Sequence, residues 1–70
     1  MDVEVLNHFL TVVREENISR AAERLHVTQP TLSRQMAALE EELGITIFVG
    51  SAAGITLTAE GRELLNLSLI

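Results

Sequence analysis

Residues 17–36 read Asn17-Ile18-Ser19-Arg20-Ala21-Ala22-Glu23-Arg24-Leu25-His26-Val27-Thr28-Gln29-Pro30-Thr31-Leu32-Ser33-Arg34-Gln35-Met36, and the organisation of the chain follows from how this stretch divides. Ser19 suits the N-cap of a short helix over residues 20–25. The adjacent small side chains Ala21 and Ala22 mark a place where another helix backbone comes close. His26-Val27 leaves almost no room for a connection, and Thr28 suits the N-cap of the next helix. Pro30 is tolerated in a first turn, where the N–H it lacks would have no helical partner. Leu32, Met36, Leu39 and Leu43 recur at +4, +7 and +11 as a buried seam. Gly44 stands where a left-handed C-terminal glycine belongs, so this helix should run over about 29–43. Two helices on a very short turn, the second opening with polar residues, have the sequence shape of a helix-turn-helix.

Upstream, Val3, Leu6, Phe9, Leu10 and Val13 form one stripe of an amphipathic helix over residues 3–15, with Asp2 as its cap. Downstream the period changes. Residues 45–49, Ile-Thr-Ile-Phe-Val, are β-branched and aromatic, and Ile55-Thr56-Leu57 answers them across a five-residue tip, 50–54. Thr58 can cap a last helix. There Leu64, Leu65, Leu67, Leu69 and Ile70 are apolar on too many sides for one small core, so the helix is expected to pair with a copy of itself.

Composition narrows the function. With 70 residues the chain is one small domain that buries only ~60% of its unfolded surface. Zero cysteines remove disulfides and thiolate zinc sites. His8 and His26 lack carboxylate company, so no metal and no cofactor is expected, and satisfied or surface histidines are the reading. The only Asp, Asp2, lies at the terminus, which leaves a Ser/His/Asp triad unsupported, and no phosphate-cradling glycine loop occurs. No enzyme is expected. No apolar run reaches the ~20 residues of a membrane span, and the acidic start is unlike a secretory leader, which makes the cytoplasm the expected compartment. With no Tyr or Trp and two Phe, a base-stacking platform is excluded.

The net charge of −5 is unevenly spread. Residues 1–16 sum to −3 and residues 40–70 to −4, whereas residues 17–39 hold Arg20, Arg24 and Arg34 against Glu23 alone. An acidic chain disfavours loose binding to nucleic acid, but a basic island permits one specific contact surface. Gln29, Ser33 and Arg34 point away from the leucine seam. Arg can bind guanine, Gln can pair with adenine, and Ser takes either edge or a phosphate; the same trio also suits an ordinary solvated face. Glu40-Glu41-Glu42 reads as a solvated helix face.

Residues 17–36, continued by Ala38-Leu39-Glu40, Leu43-Gly44, Ile47-Phe48 and Leu57-Thr58-Ala59-Glu60-Gly61, resemble the DNA-binding domain of LysR-type transcriptional regulators over about residues 3–65. The resemblance implies a mainly α fold, a winged helix-turn-helix. Its parts would be a three-helix core, a small hairpin wing and a C-terminal dimerisation or linker helix. Residues 1–58 would form the domain and residues 59–70 the start of that helix. It also implies sequence-specific binding of double-stranded promoter DNA by a homodimer. Thr28, Gln29, Pro30, Thr31, Ser33 and Arg34 would face the groove or flanking phosphates, and Arg20 would touch the backbone. Leu64, Leu65, Leu67 and Leu69 would serve pairing.

Two departures bear on function. Where the family tends to carry a cation two residues after the Phe, and another at the hairpin tip, this chain has Gly50 and Ala52-Ala53. Gly50 is either a missing phosphate contact or a residue needed for a positive φ. The chain also stops where family members continue into an effector domain, which reads as an excised or truncated piece. The alternative function is a protein–protein module that pairs with relatives and binds DNA weakly, which the net charge and uncharged wing favour. Operator, regulated genes, inducer and the sense of regulation are not written in this sequence.

Overall fold

Three helix ends are set by left-handed residues, and they give the fold its corners. The computed structural model describes residues 2–51 and 54–68. Helix α1 (Val3–Glu15) begins at Asp2, whose carboxylate accepts the Val5 N–H at 2.9 Å, and ends at Glu16 with φ 54°. Helix α2 (Ile18–Leu25) is capped by Asn17, which accepts the Arg20 N–H at 2.8 Å, and ends at His26 with φ 58°. The expected cap, Ser19, is instead inside the helix. An Asx side chain one residue after the α1 corner reaches the orphan N–H first. Helix α3 (Gln29–Leu43) has the expected bounds, with Thr28 as cap and Gly44 at φ 69°.

The hairpin pairs β1 (Phe48–Ser51) with β2 (Gly54–Leu57) in antiparallel register from Phe48↔Leu57 to Ser51↔Gly54. Pairing therefore runs past Gly50 to Ser51↔Gly54, which is narrower than a five-residue tip over 50–54. The residues before Phe48 join no strand. Gly50 takes φ 117°, and a Cβ there would collide with the Gly54 carbonyl oxygen. Of the two readings of Gly50, backbone need is the one the geometry supports. Ala52 and Ala53 lie outside the described residues, as do Leu69 and Ile70.

Phe9, Val12, Ile18, Ala21, Ala22, Leu32, Met36, Leu39, Ile47 and Ile55 form the core. Ala21 and Ala22 let α2 sit close to its neighbours, as their size implies. Phe9 and Phe48 join α1 to the wing with ring centroids 5.9 Å apart. The seam of α3 is shorter than its spacing suggests: Leu32, Met36 and Leu39 are buried, whereas Leu43 is 40% exposed. Helix α4 (Ala59–Ser68) seats Leu64 and Leu65 half-buried against this chain's own core, whereas Leu67 is 69% exposed. The apolar surplus on α4 is thus smaller than its composition suggests.

Candidate nucleic-acid interface

The turn between α2 and α3 is His26-Val27-Thr28. The Val27 N–H closes back on the Ala22 carbonyl at 3.0 Å and the His26 N–H on Glu23 at 3.3 Å, which satisfies carbonyls that α2 leaves open. His26 is exposed and held left-handed, at a cost of roughly 1–2 kcal/mol for a residue bearing a Cβ. His26→Gly is therefore expected to raise stability by about 0.5–1 kcal/mol after the added unfolded-state entropy, or a melting temperature about 2–8 °C higher. A lower melting temperature would contradict this account of the turn.

Thr28 starts α3 through its hydroxyl, which accepts the Thr31 N–H at 3.4 Å and donates to Thr31 Oγ1 at 2.7 Å. Leu32, Met36 and Leu39 bury the inner face of α3. That orientation turns Thr28, Pro30, Thr31 and Arg34 into solvent and leaves Gln29 and Ser33 half-buried. Gln29 Nε2 donates to Ser33 Oγ at 2.9 Å. Arg20 is exposed on the first turn of α2. The first two turns of α3 thus gather six of the seven expected contact residues, with Arg20 on the preceding helix.

Arg24 Nε is engaged by Glu15 Oε2 at 3.2 Å, and the Glu15 side chain is only 10% exposed. Among the described residues, Arg20 and Arg34 of the basic island have no such carboxylate within ion-pair distance. His8 is buried between α1 and α3, where its Nδ1 donates to Gln35 Oε1, as expected of a satisfied histidine. Spacing did not disclose Gln35, because its partner is 27 residues away. Glu40 is a correction: it is half-buried, and its Oε2 accepts the Ile47 N–H at 2.7 Å and the Phe48 N–H at 3.2 Å. A carboxylate in a run of three looks solvated until the chain folds back over it. Among the described residues, no three His, Cys, Asp or Glu stand together as a metal site, and no helix is long and apolar enough to cross a membrane.

A short helix set by alanines against its neighbours, a three-residue turn, a second helix with an outward polar start and a two-stranded wing define the winged helix-turn-helix class of DNA-binding domains. Residues 3–62 match the family described as "Bacterial regulatory helix-turn-helix protein, lysR family", and the chain belongs to that family as its helix-turn-helix DNA-binding domain. It is 42% identical over 65 residues to the uncharacterized HTH-type transcriptional regulator YcgK of Bacillus subtilis, covering 93% of this chain and 20% of that protein. It is 43% identical to the HTH-type transcriptional regulator ClcR of Pseudomonas putida, covering 93% and 22%. The chain thus spans about a fifth of the length of these curated relatives. Among solved structures it superposes on the CbnR_DBD–DNA complex with a TM-score of 0.90 at 42% identity, covering 99% of this chain and 79% of that one. The BenM_DBD/catB site 1 DNA complex gives 0.90 at 36% identity, covering 99% and 74%.

Proposed function

We propose that this domain binds bacterial promoter DNA sequence-specifically, as a homodimer in the cytoplasm, with the N-terminal half of α3 in the major groove. The outward polar face of α3, held by the buried Leu32, Met36 and Leu39, carries the reading. Gln29 and Arg34 supply base-edge or phosphate contacts, Thr28, Pro30, Thr31 and Ser33 line the groove and its flanking phosphates, and Arg20 meets the backbone from α2. The CbnR_DBD and BenM_DBD neighbours, both solved as DNA complexes, support the partner. Residues 1–58 form the reading head and residues 59–70 begin the pairing helix, with Leu67 and Leu69 meeting a second copy and Leu64 and Leu65 shared with the head's own core. Two-fold pairing would set the recognition helices at half-sites one helical turn, or a multiple, apart.

Arg34→Ala is expected to weaken binding to the preferred duplex by about 1–2 kcal/mol, roughly 5- to 30-fold, with the melting temperature unchanged because Arg34 lies off the buried seam. Titration of a labelled duplex checks this, and unchanged affinity on every duplex would overturn the assignment of this face.

A second reading, a pairing module with weak DNA binding, draws support from the wing, whose residues 48–57 carry no charge. Gly50 cannot test it, since any side chain there meets backbone. Ser51 is exposed and paired opposite Gly54, so Ser51→Arg adds a cation without that collision. If the wing lies along DNA, the variant's log-affinity should fall with log-salt by about one more unit per protomer. A slope equal to the parent's would make the wing a structural cover only.

A further inference from the structure

We infer that Ser33 is a positioning residue for Gln29, and that the two act as one adenine-reading unit on the outer face of α3. The inference rests on the proposal that this face reads bases, and deepens it. Gln29 and Ser33 stand four residues apart, one turn of helix, and the Gln29 amide nitrogen donates to Ser33 Oγ at 2.9 Å. A primary amide carries two N–H bonds in one plane with its carbonyl. One lies on the carbonyl side and the other points away from it. Bidentate recognition of adenine uses the carbonyl oxygen, accepting from N6, together with the N–H on the same side, donating to N7. The opposite N–H has no role in that pairing, and it is the one that can be spent on a neighbour along the helix.

The bond to Ser33 holds the amide by its nitrogen and leaves the carbonyl oxygen and the second N–H for adenine. It also holds a side chain with three rotatable bonds in one conformation before DNA arrives, so less ordering remains to be done on binding. Ser33 accepts in this bond, so its own O–H stays available for a phosphate or a neighbouring acceptor. Gln29 and Ser33 are both half-buried, whereas Pro30, Thr31 and Arg34 around them are exposed. The pair thus sits deeper on the helix flank than the freely solvated residues.

A positioning role differs from a direct contact in what its loss changes. Removing a phosphate contact weakens all sequences alike, whereas removing the brace of a base reader erases discrimination at the position that reader sees. The test uses the 70-residue chain and duplexes selected by it from a random-sequence pool, each position then replaced by the other three base pairs. The parent should prefer adenine at one position by about tenfold or more. Gln29→Ala should abolish that preference, and Ser33→Ala should remove most of it at the same position. The double variant should lose nothing further there, and Ser33→Thr, which keeps the hydroxyl, should retain the preference. If Ser33→Ala keeps the parent's preference, or if the losses of the two single variants multiply in the double, the inference is wrong. If Gln29→Ala alters preference at no position, Gln29 reads no base and the unit does not exist. A parent that selects no duplex fails the DNA-binding reading itself.

Discussion

Gly61→Ala should destabilise the domain by about 2–3 kcal/mol, although the same exchange inside an ordinary helix gains about 1 kcal/mol. Gly61 is buried on the first turns of α4, where the helix crosses the segment leading into β1. A Cβ built there runs into the Ile47 carbonyl oxygen and stands 3.0 Å from both Ile47 Cγ2 and Leu57 Cδ2. The obstructing atom is backbone, and that backbone cannot move freely. The Ile47 carbonyl accepts the Thr58 N–H at 2.9 Å, the Thr58 hydroxyl donates chiefly to the adjoining Thr46 carbonyl, and Thr58 Oγ1 accepts the Gly61 N–H at 3.0 Å. Pushing α4 away would strain the cap that starts it. Urea melts of the parent and variant check the prediction. A variant as stable as the parent would mean that α4 is not seated on residue 47.

Glu40→Ala is expected to cost about 2–3 kcal/mol, a large share of the roughly 4–10 kcal/mol typical of a domain this size. The carboxylate receives two consecutive backbone N–H groups, Ile47 at 2.7 Å and Phe48 at 3.2 Å, and hydrogen bonds to a charged acceptor are the stronger kind. Truncation leaves both donors facing a half-buried space that water reaches only partly. Glu40→Gln keeps a carbonyl oxygen in place and should recover about half of the loss. Amide exchange at Ile47 and Phe48 gives a local readout, faster in the alanine variant and intermediate in the glutamine one. Unchanged exchange at both amides would refute the role given to Glu40.

The helices were legible because their signals are local. Apolar spacing and end residues lie within the same fifteen residues, and α1 and α3 have the expected bounds, 3–15 and 29–43. The cap of α2 is ambiguous in the sequence because Asn17 and Ser19 are both good caps. The choice between them depends on how Glu16 turns the chain at φ 54°, which no residue preference announces. Sequence makes the hairpin tip look wider than it is because glycine reads as a turn, whereas Gly50 is a paired strand residue lying close under the Gly54 carbonyl. Of the candidate contact face, Gln29, Ser33 and Arg34 can be picked out by their phase against Leu32 and Met36. What spacing could not supply was tertiary: Arg24 engaged by Glu15 across two helices, Gln35 turned inward to His8, and Glu40 folded under the wing.

Helix α3 separates two kinds of residue on one rod. Leu32, Met36, Leu39 and Glu40 hold the scaffold together, while Gln29, Thr31 and Arg34 take no part in that core. Mutational drift therefore meets two very different landscapes a few ångströms apart. Changes on the inner face threaten folding, whereas changes at Gln29 or Arg34 leave the core in place. If the outer face reads DNA as proposed, a lineage carrying this helix can explore new target sequences one side chain at a time while staying folded.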